Sequence, residues 1–193
     1  EGDVVVDASW AIVQSKPDDP VAANMGAMLA QFLDEVMGLK LPVVAAAPEG
    51  GAHGGLIWLQ TQGGGQQGAP ESFTVAAAPG KITVDGIDTA GLRDGVVRLI
   101  DLFGFRMAPF LEPQDITYTP RIAMRRSGTV PNHRMDVLIG SNAVDAGAGE
   151  LYAYSQSDAI PELARRRVPG SLEALAASTK SAADMGLRAY AHL

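Results

Sequence analysis

Catalysis begins with side chains that hold a proton, a metal or a nucleophile at fixed spacing, and this chain offers few such groupings. Asp34 and Glu35 form its one adjacent Asp–Glu pair. Both fall late in a helical apolar pattern, on the side away from its apolar stripe, which describes a solvated charged face. Asp94 and Asp101 lie on a helix surface by period. Glu150 and Glu162 fall in connecting segments with nothing to fix them as a pair. His53, His133 and His192 are isolated, with neither HExxH nor any other metal-ligand spacing. There is no cysteine, which excludes disulfides and thiolate metal sites. Ser127 and Ser141 lack the G-x-S-x-G context of a hydrolase elbow. The glycine-rich runs 48–55 and 63–68 contain no lysine and no GxxxxGK(S/T) pattern, so they read as variable connections rather than phosphate cradles. The expectation is a chain with no metal, no cofactor and no catalytic set of its own.

Composition narrows the class. A length of 193 residues holds one full domain and part of another. With 47% hydrophobic and 19% charged residues the chain is globular rather than disordered. A net charge of −7 argues against a nucleic-acid surface, which needs clustered cations. Arg165, Arg166 and Arg167 make one basic run, read as a solvated polar helix face. No apolar run reaches the roughly 20 residues that cross a bilayer. The chain begins at Glu1 rather than Met, which fits a removed leader or a cut within a longer chain.

The elements that would position any site are legible from periodicity. Val4 to Val6 begin a strand region that Trp10, Ile12 and Val13 continue. Asp19 followed by Pro20 predicts a helix start, with Val21, Met25, Met28, Leu29, Phe32, Leu33 and Val36 as its apolar stripe and Gly38 as its end. Strands are predicted from Leu41 and from Gly55. Phe73, Val75 and Ala77 alternate with polar or small residues, Pro79-Gly80 turns the chain, and Ile82 and Val84 return, which predicts a hairpin. Asp88 then caps a helix carrying Leu92, Val96, Leu99, Ile100 and Phe103, ended by Gly104. Gly91 and Gly95 share one face of it. Each weakens a helix by about 1 kcal/mol relative to alanine, so unusually close packing on a sheet is the expected compensation.

The arrangement Asp88, Gly91, Gly95, Val96, Leu99, Ile100, Phe103, Gly104 resembles the small α/β domain that precedes the catalytic barrel in family 20 glycoside hydrolases, the β-N-acetylhexosaminidases. Similar domains precede the barrels of α-glucuronidases. The upstream pattern of Ala22 or Ala27, Leu29, Leu33, Gly38, Leu41, Pro42 and Val43 is similar to the same domains. The resemblance implies an α/β (α+β) fold: a small sheet with helices packed on one face in residues 1–115, then the opening strands and helices of a (β/α)8 barrel in 116–193. Pro109, Pro113 and Pro120 stiffen the connector, and the boundary is expected at about 112–118. Ile122 to Arg125 is expected as the first barrel strand, His133 to Ile139 as a helix, and Ala143-Val144 as a second strand. A helix follows from Ser171 to Gly186, and a strand carries Leu187, Ala189, Ala191 and Leu193. Three strands cannot close a barrel of eight, so the expectation is a truncated barrel.

In that family the first barrel strand carries P-x-F-x-x-R-G, whose arginine bonds hydroxyls of the terminal sugar. Pro120 to Arg125 holds the corresponding place. The resemblance therefore implies that Arg125 binds substrate, which suits the planar fork of a guanidinium. Ile122 stands where the family has an aromatic and Arg126 where it has glycine, and the next family stretch, D-x-x-R-H, is not recognisable after Asn132. The family's adjacent Asp-Glu pair follows the fourth strand, which is not present. The implied function is the front part of a β-N-acetylhexosaminidase-like glycoside hydrolase, secreted or periplasmic, meeting carbohydrate through the complete barrel and not catalytic by itself. An α-glucuronidase-like glycosidase, or a stand-alone binding or packing module, is the alternative. Exposed apolar strand edges would allow a homodimer.

Overall fold

Alternation in the strands and capping at the helix ends build the first layer of this structure. The computed structural model describes residues 2–47, 53–62, 68–127, 133–145, 152–154, 165–167 and 171–190. They divide into two units, Glu1–Ala123 and Met124–Leu193.

The first unit carries a six-stranded sheet in the order β3-β2-β4-β6-β5-β8. Its strands are β2 (Trp10–Gln14), β3 (Val43–Val44), β4 (Gly55–Thr61), β5 (Phe73–Ala78), β6 (Lys81–Gly86) and β8 (Gln114–Tyr118). β3, β2, β4 and β6 run parallel, and β5 is antiparallel to both β6 and β8. The predicted hairpin is β5–β6, with Val75 opposite Val84 and Gly80 at φ +72° in its turn. Val4–Val5 (β1) does not join this sheet; it pairs with Phe110–Leu111 (β7).

Both helices lie on one face. Gln14, Leu59, Val84 and Val75 occupy one cross-strand row, so their side chains point the same way. At one end of the row Gln14 Nε2 donates to Ala22 O of α1 (Pro20–Met37) at 2.8 Å. Near its other end Val84 meets α2 (Thr89–Arg106), where a Cβ on Gly95 would lie 2.5 Å from Val84 Cγ1. The core between the layers contains Ile12, Met25, Leu29, Leu33, Ile57, Leu59, Ile82, Val84, Leu92, Leu99 and Phe103, all essentially inaccessible. The last residue of the α1 stripe, Val36, is exposed, and Asp34 and Glu35 beside it are exposed as expected.

Asp19 caps α1 by accepting from the backbone N–H of Val21 and Ala22, and Gly38 closes it at φ +68° with Leu39 N–H bonded to Leu33 O. Asp88 does more than cap α2. Its Oδ1 accepts from Gly91 N at 2.6 Å and its Oδ2 from Glu71 N at 3.0 Å, tying the entry of β5 to the helix start. A Cβ on Gly91 would stand 2.3 Å from the carbonyl oxygen of Ser72. The helix therefore rests backbone to backbone on the sheet, as the two glycines imply.

Gly104 does not end α2. The helix runs on to Arg106, and Met107 takes the left-handed cap position at φ +50°, its N–H bonded to Gly104 O at 3.1 Å. At Gly104 a Cβ would make ordinary contact, 3.9 Å, with the Phe32 ring of α1. Asp94 and Asp101 are half-buried rather than on the open surface. Asp94 pairs with the fully buried Arg93 at 2.6 Å, and burial holds the Asp101 carboxyl above its ordinary pKa, opposed by Arg98. The first unit also extends past the connector expected at 112–118, because Gln114–Tyr118 pairs along β5 as the sheet's edge strand.

The second unit contains a parallel sheet in the order β13-β10-β9, from β9 (Arg126–Ser127), β10 (Ala143–Asp145) and β13 (Arg188–Tyr190). α3 (His133–Leu138) links β9 to β10, and α4 (Ser171–Asp184) precedes β13. Sequential parallel strands joined through helices are successive βα units; a closed barrel is not formed by the described residues. β11 (Tyr152–Tyr154) and β12 (Arg165–Arg167) pair antiparallel, so the basic run is a strand and not a helix face. Strand pairing begins at Arg126 rather than at Ile122, since Ile122 and Met124 are exposed and Asn142 Oδ1 accepts the Arg125 N–H. Glu150, Glu162 and His192 lie outside the described residues, as do 48–52 and 63–67 of the glycine-rich runs.

Two substitutions test the contact of α2 with the sheet and its end. Gly91→Ala should destabilise the chain by about 2 kcal/mol in urea unfolding, the reverse of the gain of about 1 kcal/mol for an ordinary helical glycine. Met107→Gly should stabilise it by about 1 kcal/mol, because glycine takes φ > 0 without a Cβ penalty and the Met107 side chain is 75% exposed.

Candidate functional site

The chemistry-bearing residues of the second unit gather around β9 and α3. Alternation sends Arg125 and Ser127 to one side of the strand and Arg126 to the other. The side shared by Arg125 and Ser127 is the helix side: Ser127 Oγ donates to Asp136 Oδ1 of α3 at 2.6 Å, and Arg125 Nε donates to Gly140 O, just past that helix, at 2.8 Å. Gly140 is at φ +79°, the turn that lets its carbonyl face the guanidinium. Arg125 is thus half-buried at the amino end of a parallel strand, the end that in βα folds serves stability more than substrate.

Arg126 points to the face away from the helices and is exposed. In register it stands beside Ala143, which stands beside Arg188 on the third strand. One cross-strand row therefore carries two arginines separated by a small residue. Tyr190 lies two residues beyond Arg188 on the same side, toward the carboxyl end of β13. Arg126 and Arg188 were not singled out by their sequence context. The alternation relative to Ser127 is the signal that separates Arg126 from Arg125, and it becomes readable only once the Ser127–Asp136 bond fixes which side the helices occupy.

Sequence reading also missed a buried cluster at the carboxyl end of β9. Asp136 accepts from Ser127 on one oxygen, and its other oxygen lies 3.5 Å from His133 Nδ1. His133 and Asp136 are both buried. Their i, i+3 spacing on a helix was the available clue. The order of contacts excludes a hydrolase triad, in which the base sits between nucleophile and carboxylate. Here the carboxylate is in the middle, the serine is not deprotonated by the imidazole, and the Ser127–Asp136 bond fastens α3 to the strand. His53, in the first unit, is half-buried with Nδ1 3.1 Å from Ser9 O. Among the described residues no group of three or more His, Cys, Asp or Glu could hold a metal ion, and no helix is long and apolar enough to cross a membrane.

No protein-family profile and no curated protein matches this chain. Solved structures do. A family 20 β-N-acetylhexosaminidase from Streptomyces coelicolor A3(2) superposes over 100% of this chain and 43% of its own, with a TM-score of 0.67 at 18% identity. The Flavobacterium johnsoniae chitobiase, also of family 20, covers 100% of this chain and 32% of its own, with a TM-score of 0.72 at 16% identity. A family 138 enzyme that targets pectin rhamnogalacturonan II covers 92% of this chain and 30% of its own, with a TM-score of 0.65 at 14% identity. The chain thus has the α/β fold found in part of these enzymes and spans less than half the length of each.

The placement of Arg125 leads to a direct test. Arg125→Ala should lower stability by about 1 kcal/mol, through loss of the bond to Gly140 O. Thermal unfolding of the variant, beside Arg126→Ala as a surface control with a shift near zero, checks it.

Proposed function

We propose that this chain is the front portion of a glycoside hydrolase acting on terminal N-acetylhexosaminides. The observation that carries the reading is the superposition of the whole chain on family 20 enzymes, with the small sheet domain and the parallel βα units both included. In this reading residues 1–115, extended by the β8 edge to Ala123, are the small domain, and the second unit opens a (β/α) barrel. Catalytic carboxylates belong to later strands, since Asp34–Glu35 is a solvated pair on α1. Carbohydrate is the partner, and a secreted or periplasmic setting fits a glycosidase of this kind.

Substrate contact falls to one member of the arginine pair Arg125–Arg126, which face opposite sides of the strand. The sequence pattern points to Arg125 and strand alternation to Arg126, whose side chain occupies the face that a closed barrel would turn inward. A guanidinium there could bond two adjacent sugar oxygens at once. The family 138 neighbour supports a second reading, a glycosidase of other specificity such as an α-glucuronidase-like enzyme, because it shares the fold over 92% of this chain.

The test uses the native gene product and this 193-residue chain side by side on 4-nitrophenyl N-acetyl-β-glucosaminide and 4-nitrophenyl α-glucuronide. The expected outcome is hydrolysis of the first substrate by the native product and none by the chain alone. Within the native product, Arg126→Ala should raise KM about tenfold or more, the loss of a bidentate contact. Cleavage of the glucuronide alone selects the second reading, and turnover by the isolated chain overturns the assignment of catalysis to later strands.

A further inference from the structure

The first unit has a recess of its own, of about 240 Å³, on the sheet face opposite the helices. It lies at the carboxyl ends of the parallel strands β4 and β6, where β5 reverses direction and β8 closes the edge. Its polar lining is Gln62, Ser72, Thr74, Asp85, Thr117 and Thr119, with Ile87 as apolar wall; Phe73 turns its ring to the helix face. Among the described residues no lysine or arginine lines it.

The hydroxyls are organised in pairs across β5 and β8. Thr74 Oγ1 and Thr117 Oγ1 are 2.8 Å apart, and Ser72 Oγ donates to Thr119 Oγ1 at 3.3 Å. Each hydroxyl has one donor and two acceptor positions, so each pair keeps capacity for a third group. Asp85 Oδ2 accepts from Gln62 Nε2 at 2.8 Å, while Asp85 Oδ1 is covered from water and has no hydrogen-bond partner. A covered carboxylate oxygen without a donor calls for one.

We propose that this recess binds one ring of a neutral, hydroxyl-rich saccharide, as a site separate from the arginine pair. A ring hydroxyl supplies the donor that Asp85 Oδ1 lacks, with the Gln62 amide shifting to admit it. The threonine and serine pairs meet further hydroxyls, and Ile87 offers an apolar patch for a sugar's C–H face. The carboxylate and the absence of cationic lining select against acidic sugars. A recess of this size suits a single ring rather than a drug-sized ligand, whose sites start at about 300 Å³. A divalent ion is a poorer fit, because calcium takes six to eight oxygens and usually several carboxylates, and Asp85 is the one carboxylate here. The proposal does not depend on the hydrolase reading.

The experiment is amide NMR of the ¹⁵N-labelled 193-residue chain, titrated to about 50 mM, in the range of weak single-ring binding. The ligands are N-acetylglucosamine, glucose, N,N′-diacetylchitobiose, glucuronate and calcium chloride. Saturable shifts at Ser72–Thr74, Asp85 and Thr117–Thr119 with the neutral sugars are expected, and binding about tenfold weaker with glucuronate. Equal binding by monosaccharide and disaccharide identifies a free sugar as the ligand, and tighter binding of the disaccharide identifies a chain end. Asp85→Asn should weaken the sugar about tenfold, and Thr117→Val, on the exposed edge strand, should weaken it while leaving the rest of the spectrum in place. The proposal is overturned by unchanged amides at these positions, by equal binding of glucuronate, or by shifts that calcium produces and sugars do not.

Discussion

The backbone of α2 lies against the backbone of the sheet, and most of the first unit follows from that contact. Where a Cβ on Gly91 would stand 2.3 Å from Ser72 O, no side chain separates the two layers. The helix can then sink far enough for nine of its residues to be buried, among them Arg93. Asp88 fixes the depth and angle by bonding both the first turn of the helix and the N–H of Glu71. Phe73 is drawn into the same contact and stacks on Tyr118 at 5.0 Å, which draws β8 onto the edge of the sheet. α1 is held by a smaller version of the same device. A Cβ on Gly26 would lie 1.8 Å from Gln14 Nε2, so glycine there clears the path by which Gln14 reaches Ala22 O.

In the second unit polar pins stand beside a buried apolar set of Val137, Ala143, Val144, Ala182 and Leu187. Ser127–Asp136, Arg125–Gly140 and Arg125–Asn142 each join β9 to the helix or loop that follows it. These pins orient the strand and so decide which arginine faces which way. A functional role for the pair depends on that orientation, since a guanidinium engaged at Gly140 on the helix side and one on the opposite face cannot do the same work.

Much of the first unit was legible before any coordinates. The β5–β6 hairpin, both N-caps, the Gly38 cap and the close approach at Gly91 and Gly95 all rest on local rules: period, capping chemistry and the missing Cβ. The readings that failed required knowledge of a distant partner. Gly104 looks like a helix stop, yet the helix runs on to Arg106 and Met107 takes the cap with an ordinary side chain. Val36 completes an apolar stripe by period but nothing covers it. The start of β9 moved because the side chain of Asn142, seventeen residues on, replaces a ladder bond to Arg125. The motif specifies an arginine's place in sequence and leaves the Arg125 assignment open, because its direction depends on which side α3 packs. The Ser127–Asp136–His133 cluster joins residues of a strand and a helix across a connection, and no local pattern announces it.

The intact mass of the native gene product, measured in its source cells, tests the central claim most directly. A glycosidase whose later strands carry the catalytic carboxylates must be far heavier than the 20.1 kDa of these 193 residues. A mass well above that value is the expected result. A mature product of 20.1 kDa would contradict the account, leaving a two-unit protein with the fold of a glycosidase's front portion and no barrel to serve.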